Sequence, residues 1–242
     1  MTWAIDVVVA IPAQDEEETI GDCLDSVLAA AEEARRVGLL GHAGVAVVAH
    51  ACGDETARVA RQRLDGAAVS GAVVEDHVSR TIAEVRRRAV AAAMAAGPFR
   101  PTRTWVFNTD ADSLVPPDWF TGMHGATVRE DAAGAAGMVE VWDWAAPAAA
   151  RAEYGQIIAR GIHGDSHDHV YGANLVLRLD AYLEVGGFEP VEHGEDHGLV
   201  RRIRAAGHRV ATPLTPVVRT SGREDARCPN GLGALLRRLA GR

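Results

Sequence analysis

Four short apolar runs, each broken by a polar loop and separated by helical patterns, constrain this chain more than any other feature. They are DVVVAI (Asp6 to Ile11), VAVVA (Val45 to Ala49), AVV (Ala72 to Val74) and TWVF (Thr104 to Phe107). Unalternated apolar runs of this length suit strands covered on both faces. Between them, Thr19 to Val37, a segment ending at Leu64, and Ile82 to Ala96 carry helical spacing. Strand, loop and helix in alternation predict an α/β fold: a mostly parallel central sheet, right-handed crossovers and helices on both faces. Three polar loops, AQDEEE, HACGDET and NTDADS, leave the carboxyl ends of these strands. Ligands bind at that rim in such sheets, so three loops there predict one site.

The remainder is less regular. MVEVWDW reads as a strand followed by an alanine-rich helix, GIHGDSHDH as a mobile glycine-broken loop, and YGANLVLR as a strand. DAYLEVGGF reads as a short helix and turn, and GEDHGLVRRIRAAGHRV as a helix then a strand. No repeat or low-complexity linker divides the 242 residues, which predicts one domain.

Composition removes several function classes. A formal charge of −8 argues against nucleic acid as a partner. There is no lysine, so a Schiff-base lysine and a phosphate-loop lysine are both excluded. Any cationic work falls to arginine. Cys23, Cys52 and Cys228 are far apart and form no CxxC pair, as expected of a reduced, cytoplasmic setting. No apolar run approaches the roughly 18 residues of a membrane span. The opening MTWAIDVVVAIP reads as a strand rather than a signal peptide.

Two acidic pairs carry the chemistry. Asp110 and Asp112 follow the fourth apolar run at a spacing that points both side chains one way on an extended backbone. Converging carboxylates repel and need a cation, hydrogen-bond donors or open water. Glu195-Asp196 precedes the helical pattern LVRRIRAAG, where a helix N-terminus favours negative charge. The bland alternatives are a turn at the first pair and a helix cap at the second.

In order along the chain, VVVAIPAQDEEETI, VVAHACGDET, FNTDADS, YGANLVLRLDAYLEVGGF and GEDHGLVRRIRAAGHRV resemble the family 2 glycosyltransferases. The opening also resembles glycerate-type glucosyl- and mannosyltransferases. The resemblance implies a single GT-A domain with a Rossmann-like sheet. Residues 1–112 would form the nucleotide-sugar half, 113–220 the acceptor half and 221–242 a tail. It implies an enzyme that uses a divalent metal (Mn²⁺ or Mg²⁺) to move a hexose-type sugar onto a hydroxyl or amine. Asp110-Ala111-Asp112 is then the DxD motif, with Asp112 the direct metal ligand and Asp110 nearer the ribose or a metal-bound water. Asp196 becomes the general base of an inverting reaction, with Glu195 orienting the acceptor. The glycerate-type likeness leaves a retaining outcome open.

The same resemblance places Pro12, Ala13, Gln14 and Glu16 around the nucleotide and Arg86 on its diphosphate, with Arg87 and Arg88 left as surface. Many relatives carry a base-reading aspartate where this chain has Ala49-His50. Donors built on UDP, GDP or dTDP therefore stay open, with His50 the available contact. Gly172, Ala173 and Asn174 correspond to the acceptor-side turn, preceded by His169. The spacing of His163, His167 and His169 would suit zinc on a helix, but Gly161 and Gly164 argue against one, so a flexible lid is expected. The terminal LGALLRRLAGR is amphipathic and predicts a helix set against the domain, a second copy in a homodimer, or an anionic membrane bearing a lipid-linked acceptor. A nucleotidyltransferase is the rival enzyme class, disfavoured because PAQDEEE lacks its glycine-rich loop and lysine. A non-catalytic nucleotide-sugar binder is the rival outside enzymes.

Overall fold

The computed structural model describes residues 4–224 and 231–241. Cys228 lies outside the described residues. The first half runs β1 (Ile5–Ala13), α1 (Ile20–Arg36), β2 (Leu40–His50), α2 (Thr56–Leu64), β3 (Ser70–Asp76), α3 (Ile82–Ala95) and β4 (Thr104–Asn108). The second half continues with β5 (Ser113–Leu114), α4 (Trp119–Glu130), β6 (Gly134–Ala136), β7 (Val139–Val141) and α5 (Ala148–Arg160). A hairpin of β8 (Ile162–His163) and β9 (Ser166–His167) follows, then β10 (Leu175–Arg178), α6 (Leu179–Glu184) and α7 (Glu195–Ala205). β11 (Val210–Ala211), β12 (Val218–Thr220) and α8 (Leu232–Leu239) complete the order.

The central seven-stranded sheet has the order β11-β6-β10-β4-β1-β2-β3. Its first-half strands pair in parallel, and β10 alone runs antiparallel to its neighbours β4 and β6. All nine residues of β1 are buried, as its central place requires. Alternation sends Val7, Val9 and Ile11 to a core shared with Ile20, Leu24 and Val27 of α1 and Trp119 and Met123 of α4. Val8 and Ala10 face the other way, onto Ala83, Val85, Ala89 and Val90 of α3. Each such aliphatic side chain stabilises the fold by about 1.5–3 kcal/mol on full burial. α3 starts in a capping box, Thr81 accepting from Glu84 N while Glu84 accepts from Thr81 N.

The second half departs from the sequence reading. MVEVWDW forms only β7, because Trp142 to Trp144 turn away to hold the C-terminal segment. α4, β6, β5 and β12 were not anticipated. Two- and three-residue strands carry too little periodicity to be seen. Strands β5, β12 and β7 form a separate small sheet beside the site. Among the described residues, no helix is long and apolar enough to cross a membrane. α8 buries Leu236 against Trp144, Ala146 and Ala150, so one of its leucines is taken up by the domain itself.

Candidate active site

The rim is built by stitching two loops together. Asp15 N donates to Cys52 Sγ (3.3 Å), Gly53 N to Asp15 Oδ1 (2.7 Å), Glu17 N to Asp54 Oδ2 (2.9 Å), and Glu55 N to Glu17 Oε2 (2.9 Å). Glu16 N donates to Thr56 Oγ1 at 2.7 Å. These bonds absorb most of the acidic run AQDEEE and hold Glu16, alone of its acidic residues, in a buried position. Glu17 is thereby a loop tie. Asp15, Cys52 and Asp54 bring ligand atoms within 4.8 Å of one another, but backbone N–H groups already occupy both carboxylates. Pro12 and Ala13 end β1 as buried backbone beneath this loop, and Gln14 is half-buried.

The paired aspartates do not share a partner. Asp110 Oδ1 accepts from Arg86 Nη2 at 2.6 Å, and Arg86 Nε reaches Glu195 Oε1 at 3.3 Å. Arg86 is buried, its guanidinium carbon 6.0 Å from the Phe188 ring centre, and its Nη1 has no hydrogen-bond partner among the described residues. Burial opposes its charge, but Asp110, Glu195 and Asp196 hold its pKa above the ordinary arginine value. Gly172 lies directly on it: a Cβ there would come within 2.5 Å of Nη2. Asp112 looks the other way. Its Oδ2 accepts from Arg223 Nη2 at 2.9 Å, and the same nitrogen reaches Glu16 Oε1 at 2.7 Å. Thr220 Oγ1 donates to Asp112 Oδ1 at 3.4 Å. Burial, followed by Asp110 and Glu16, pushes the Asp112 carboxyl up to about 6 against the pull of Arg223.

The second acidic pair enters at the start of α7. Gly194, at φ 71°, turns the chain into the helix, a conformation that suits glycine. Gly194 is also the N-cap, so neither acidic residue is. Glu195 is buried against Arg86; burial raises its pKa and Arg86 works against the rise. Asp196 Oδ2 accepts from Gly172 N at 2.9 Å and Oδ1 from His197 N at 2.7 Å. A cleft of about 220 Å³ opens beside this pair, lined by Glu195, His193, His197 and Arg201 among others.

Residues 5–240 match the family model described as glycosyltransferase like family 2. The chain belongs to that family. Solved structures show the GT-A fold that the motifs implied. One is the mannosyltransferase PcManGT of Pyrobaculum calidifontis in complex with GDP-Man and Mn²⁺, with 18% identity and TM-score 0.69 over 93% of this chain and 59% of that one. Another is S. aureus TarS 1-349 in complex with UDP-GlcNAc, with 11% identity and TM-score 0.66 over 99% of this chain and 65% of that one. The chain thus spans less than two-thirds of the length of either. No curated protein matches it in sequence.

Several expected site residues of this family 2 chain sit differently from their sequence reading. Asn174 is fully buried, its amide donating to Met138 O (2.8 Å) and Pro216 O (3.1 Å) and accepting from Trp119 Nε1 (2.9 Å). It ties the start of β10 to the segments leading into β7 and β12; Gly172 and Ala173 are buried beside it. The histidine segment is a hairpin with anchors rather than a loose lid. His167 is buried with Nε2 3.2 Å from Pro213 O, and His169 Nε2 lies 2.9 Å from Ile158 O. His167, His169 and Tyr171 stack in series at 5.8 and 5.7 Å. His163 instead pairs with Asp168 at 2.7 Å.

His50 ends β2 with Nδ1 3.2 Å from Asp76 Oδ2, directly opposite in register on β3. Arg88 also reaches Asp76, at 2.8 Å, so it is tied down where the sequence suggested free surface. Burial disfavours the Asp76 carboxylate, yet Ser79, the Val78 N–H and Arg88 hold its pKa below the usual range. Sequence reasoning missed Arg223 and Thr220 at the metal-binding candidates altogether. They stand more than a hundred residues from Asp112, with no motif around them.

Proposed function

We propose that this chain transfers a sugar from a nucleotide-diphosphate donor to a hydroxyl or amine of a small acceptor. One observation carries the reading: Glu16 and Asp112, from two different strand ends, converge on a single cation, the Arg223 guanidinium. A buried oxygen-donor pair already held by positive charge fits a hard divalent ion. Asp112 and Glu16 would hold it, with Asp110 beside them. When bound, such an ion would stabilise the negative charge that develops on a diphosphate leaving group. The structural relatives support the donor class, since one was solved with GDP-Man and Mn²⁺ and another with UDP-GlcNAc. In this reading the nucleotide lies along the rim from His50 past Pro12 to Gln14 toward Asp110.

Asp196 is the proposed base of an inverting transfer. Two backbone N–H donors fix its carboxylate, and its neighbours Glu195 and His197 line the cleft beside α7; an acceptor hydroxyl bound near them would lose its proton to Asp196. Arg86 has a different part from the one first expected. Locked between Asp110 and Glu195, it sets the spacing of the donor and acceptor carboxylates rather than reaching freely for a diphosphate. Calorimetry with Mn²⁺ and UDP, GDP or dTDP tests the reading. The parent should bind one nucleotide in a metal-dependent way, and Asp112→Asn should lose that dependence. Equal binding by the variant removes Asp112 from the site.

A further inference from the structure

Arg223 belongs to a short strap, residues 221–224, that leaves β12 in the direction of α8. Among the described residues, Ser221 N donates to Asp112 O at 3.3 Å, and further contacts hold the strap beyond it. Ser221 Oγ donates to Asp143 Oδ2 at 3.2 Å, and Gly222 N donates to Asp143 Oδ1. Gly222 packs against the Cβ and backbone of Trp144, where an added Cβ would come within 2.4 Å of the tryptophan Cβ. Trp144 Nε1 also donates to Glu224 Oε1 at 3.0 Å. Trp144 in turn packs with Leu236 of α8 and edge-on against Tyr154 of α5. The strap is therefore the mechanical link between the carboxylates and the C-terminal helix.

At its centre, Arg223 places Nη2 2.7 Å from Glu16 Oε1 and 2.9 Å from Asp112 Oδ2, with Nη1 3.2 Å from Glu16 Oε2. A divalent ion and a guanidinium cannot share those oxygens, because like charges a few ångströms apart in a partly buried site repel strongly. Arg223 is the partner able to leave. Its side chain is 32% exposed, against 5% for Glu16 and 15% for Asp112, so it can swing into water without stranding a buried charge.

We propose that Arg223 is a tethered competitor of the divalent cation: it bridges Glu16 and Asp112 until an ion displaces it, and its departure loosens the 221–224 strap from Asp143 and Trp144. The inference rests on the metal-site reading above. It adds that ion binding is reported to the C-terminal helix, because one residue serves both.

The test is Mn²⁺ binding to the full chain without nucleotide, by calorimetry and by the paramagnetic resonance signal of free Mn²⁺. Arg223→Gln should bind Mn²⁺ about tenfold more tightly than the parent, the scale of one partly exposed ion pair no longer competing. In the parent, saturating Mn²⁺ should speed amide exchange across 221–224, and Arg223→Gln should show that faster exchange before any ion is added. Arg223→Gln binding with the parent's affinity, or more weakly, overturns the proposal. Asp112→Asn separates the two ideas. If it abolishes binding while Arg223→Gln changes nothing, the metal site stands and the competitor falls. If Asp112→Asn binds like the parent, or no form binds Mn²⁺, both fall.

Discussion

Arg86 and Arg223 each bridge two carboxylates, one of them from the same Asp110–Asp112 pair, yet the two bridges are opposites. Arg86 is 4% exposed, comes from a helix packed on the sheet, and joins the buried Glu195 to the part-exposed Asp110. Arg223 is 32% exposed and comes from a strap whose described contacts include Asp143, Trp144 and the Asp112 carbonyl. The same guanidinium–carboxylate chemistry is therefore permanent framework in one place and exchangeable in the other. Burial decides which, since a lone buried charge is costly and a lone surface charge is not. The DxD aspartates divide accordingly, Asp110 tied inward to the framework and Asp112 turned toward the replaceable cation.

The contrast can be broken in three places. The largest effect should appear on the framework side, in turnover. Asp196→Asn should lower the rate by about 10²–10⁴, because an amide cannot take a proton. Its melting should stay within about 1–2 kcal/mol of the parent, the cost of disturbing one of its two backbone bonds. The assay needs a donor and acceptor the enzyme uses; turnover within a few-fold of the parent would favour the retaining, glycerate-type route instead.

Next comes stability. Arg86→Met should cost about 3–5 kcal/mol in denaturant unfolding, because it leaves Asp110 and Glu195 facing each other without a counter-charge. Adding Glu195→Gln to that variant should recover part of the loss, since the repulsion then has one member fewer. A single-variant loss below about 1 kcal/mol would show that Arg86 is not framework, and the comparison would collapse.

The smallest effect sharpens it. Arg223→Gln should cost less than Arg86→Met in denaturant unfolding, because Arg223 is itself a third exposed, although it leaves Glu16 and Asp112 without their counter-charge. A loss as large as that of Arg86→Met would make Arg223 a structural residue and leave no exchangeable cation on the rim.

The first half of the fold was readable because its signals are long and local. β1 and β2 carry runs of buried aliphatic residues, β4 is buried throughout around Trp105, Val106 and Phe107, and α1 and α3 are three turns or more with apolar faces. Even there the ends moved, β3 extending to Ser70–Asp76 beyond the three apolar residues that announced it. The second half was hard to read because its strands hold two to four residues each, below the length at which a period can be recognised. The histidine hairpin shows the limit most plainly. Glycines and hydrophilic side chains predicted mobility, while the Pro213 carbonyl that receives His167 is supplied from 46 residues along the chain and the Ile158 carbonyl that receives His169 from the preceding helix.

By itself, the amino-acid sequence determined the parallel sheet, the rim on which the loops gather, the two acidic pairs and the exclusion of lysine chemistry. All of these follow from local patterning and from which side chains exist. Only the tertiary structure decided what each charged group faces. It turned Arg86 inward between two carboxylates, made Asn174 a core tie, set Asp76 behind His50, and brought Arg223 onto Glu16 and Asp112. The physical reason is that a charge takes its meaning from its nearest neighbours and its exposure. In this chain those neighbours stand 24 to 207 residues away, beyond the reach of any local pattern.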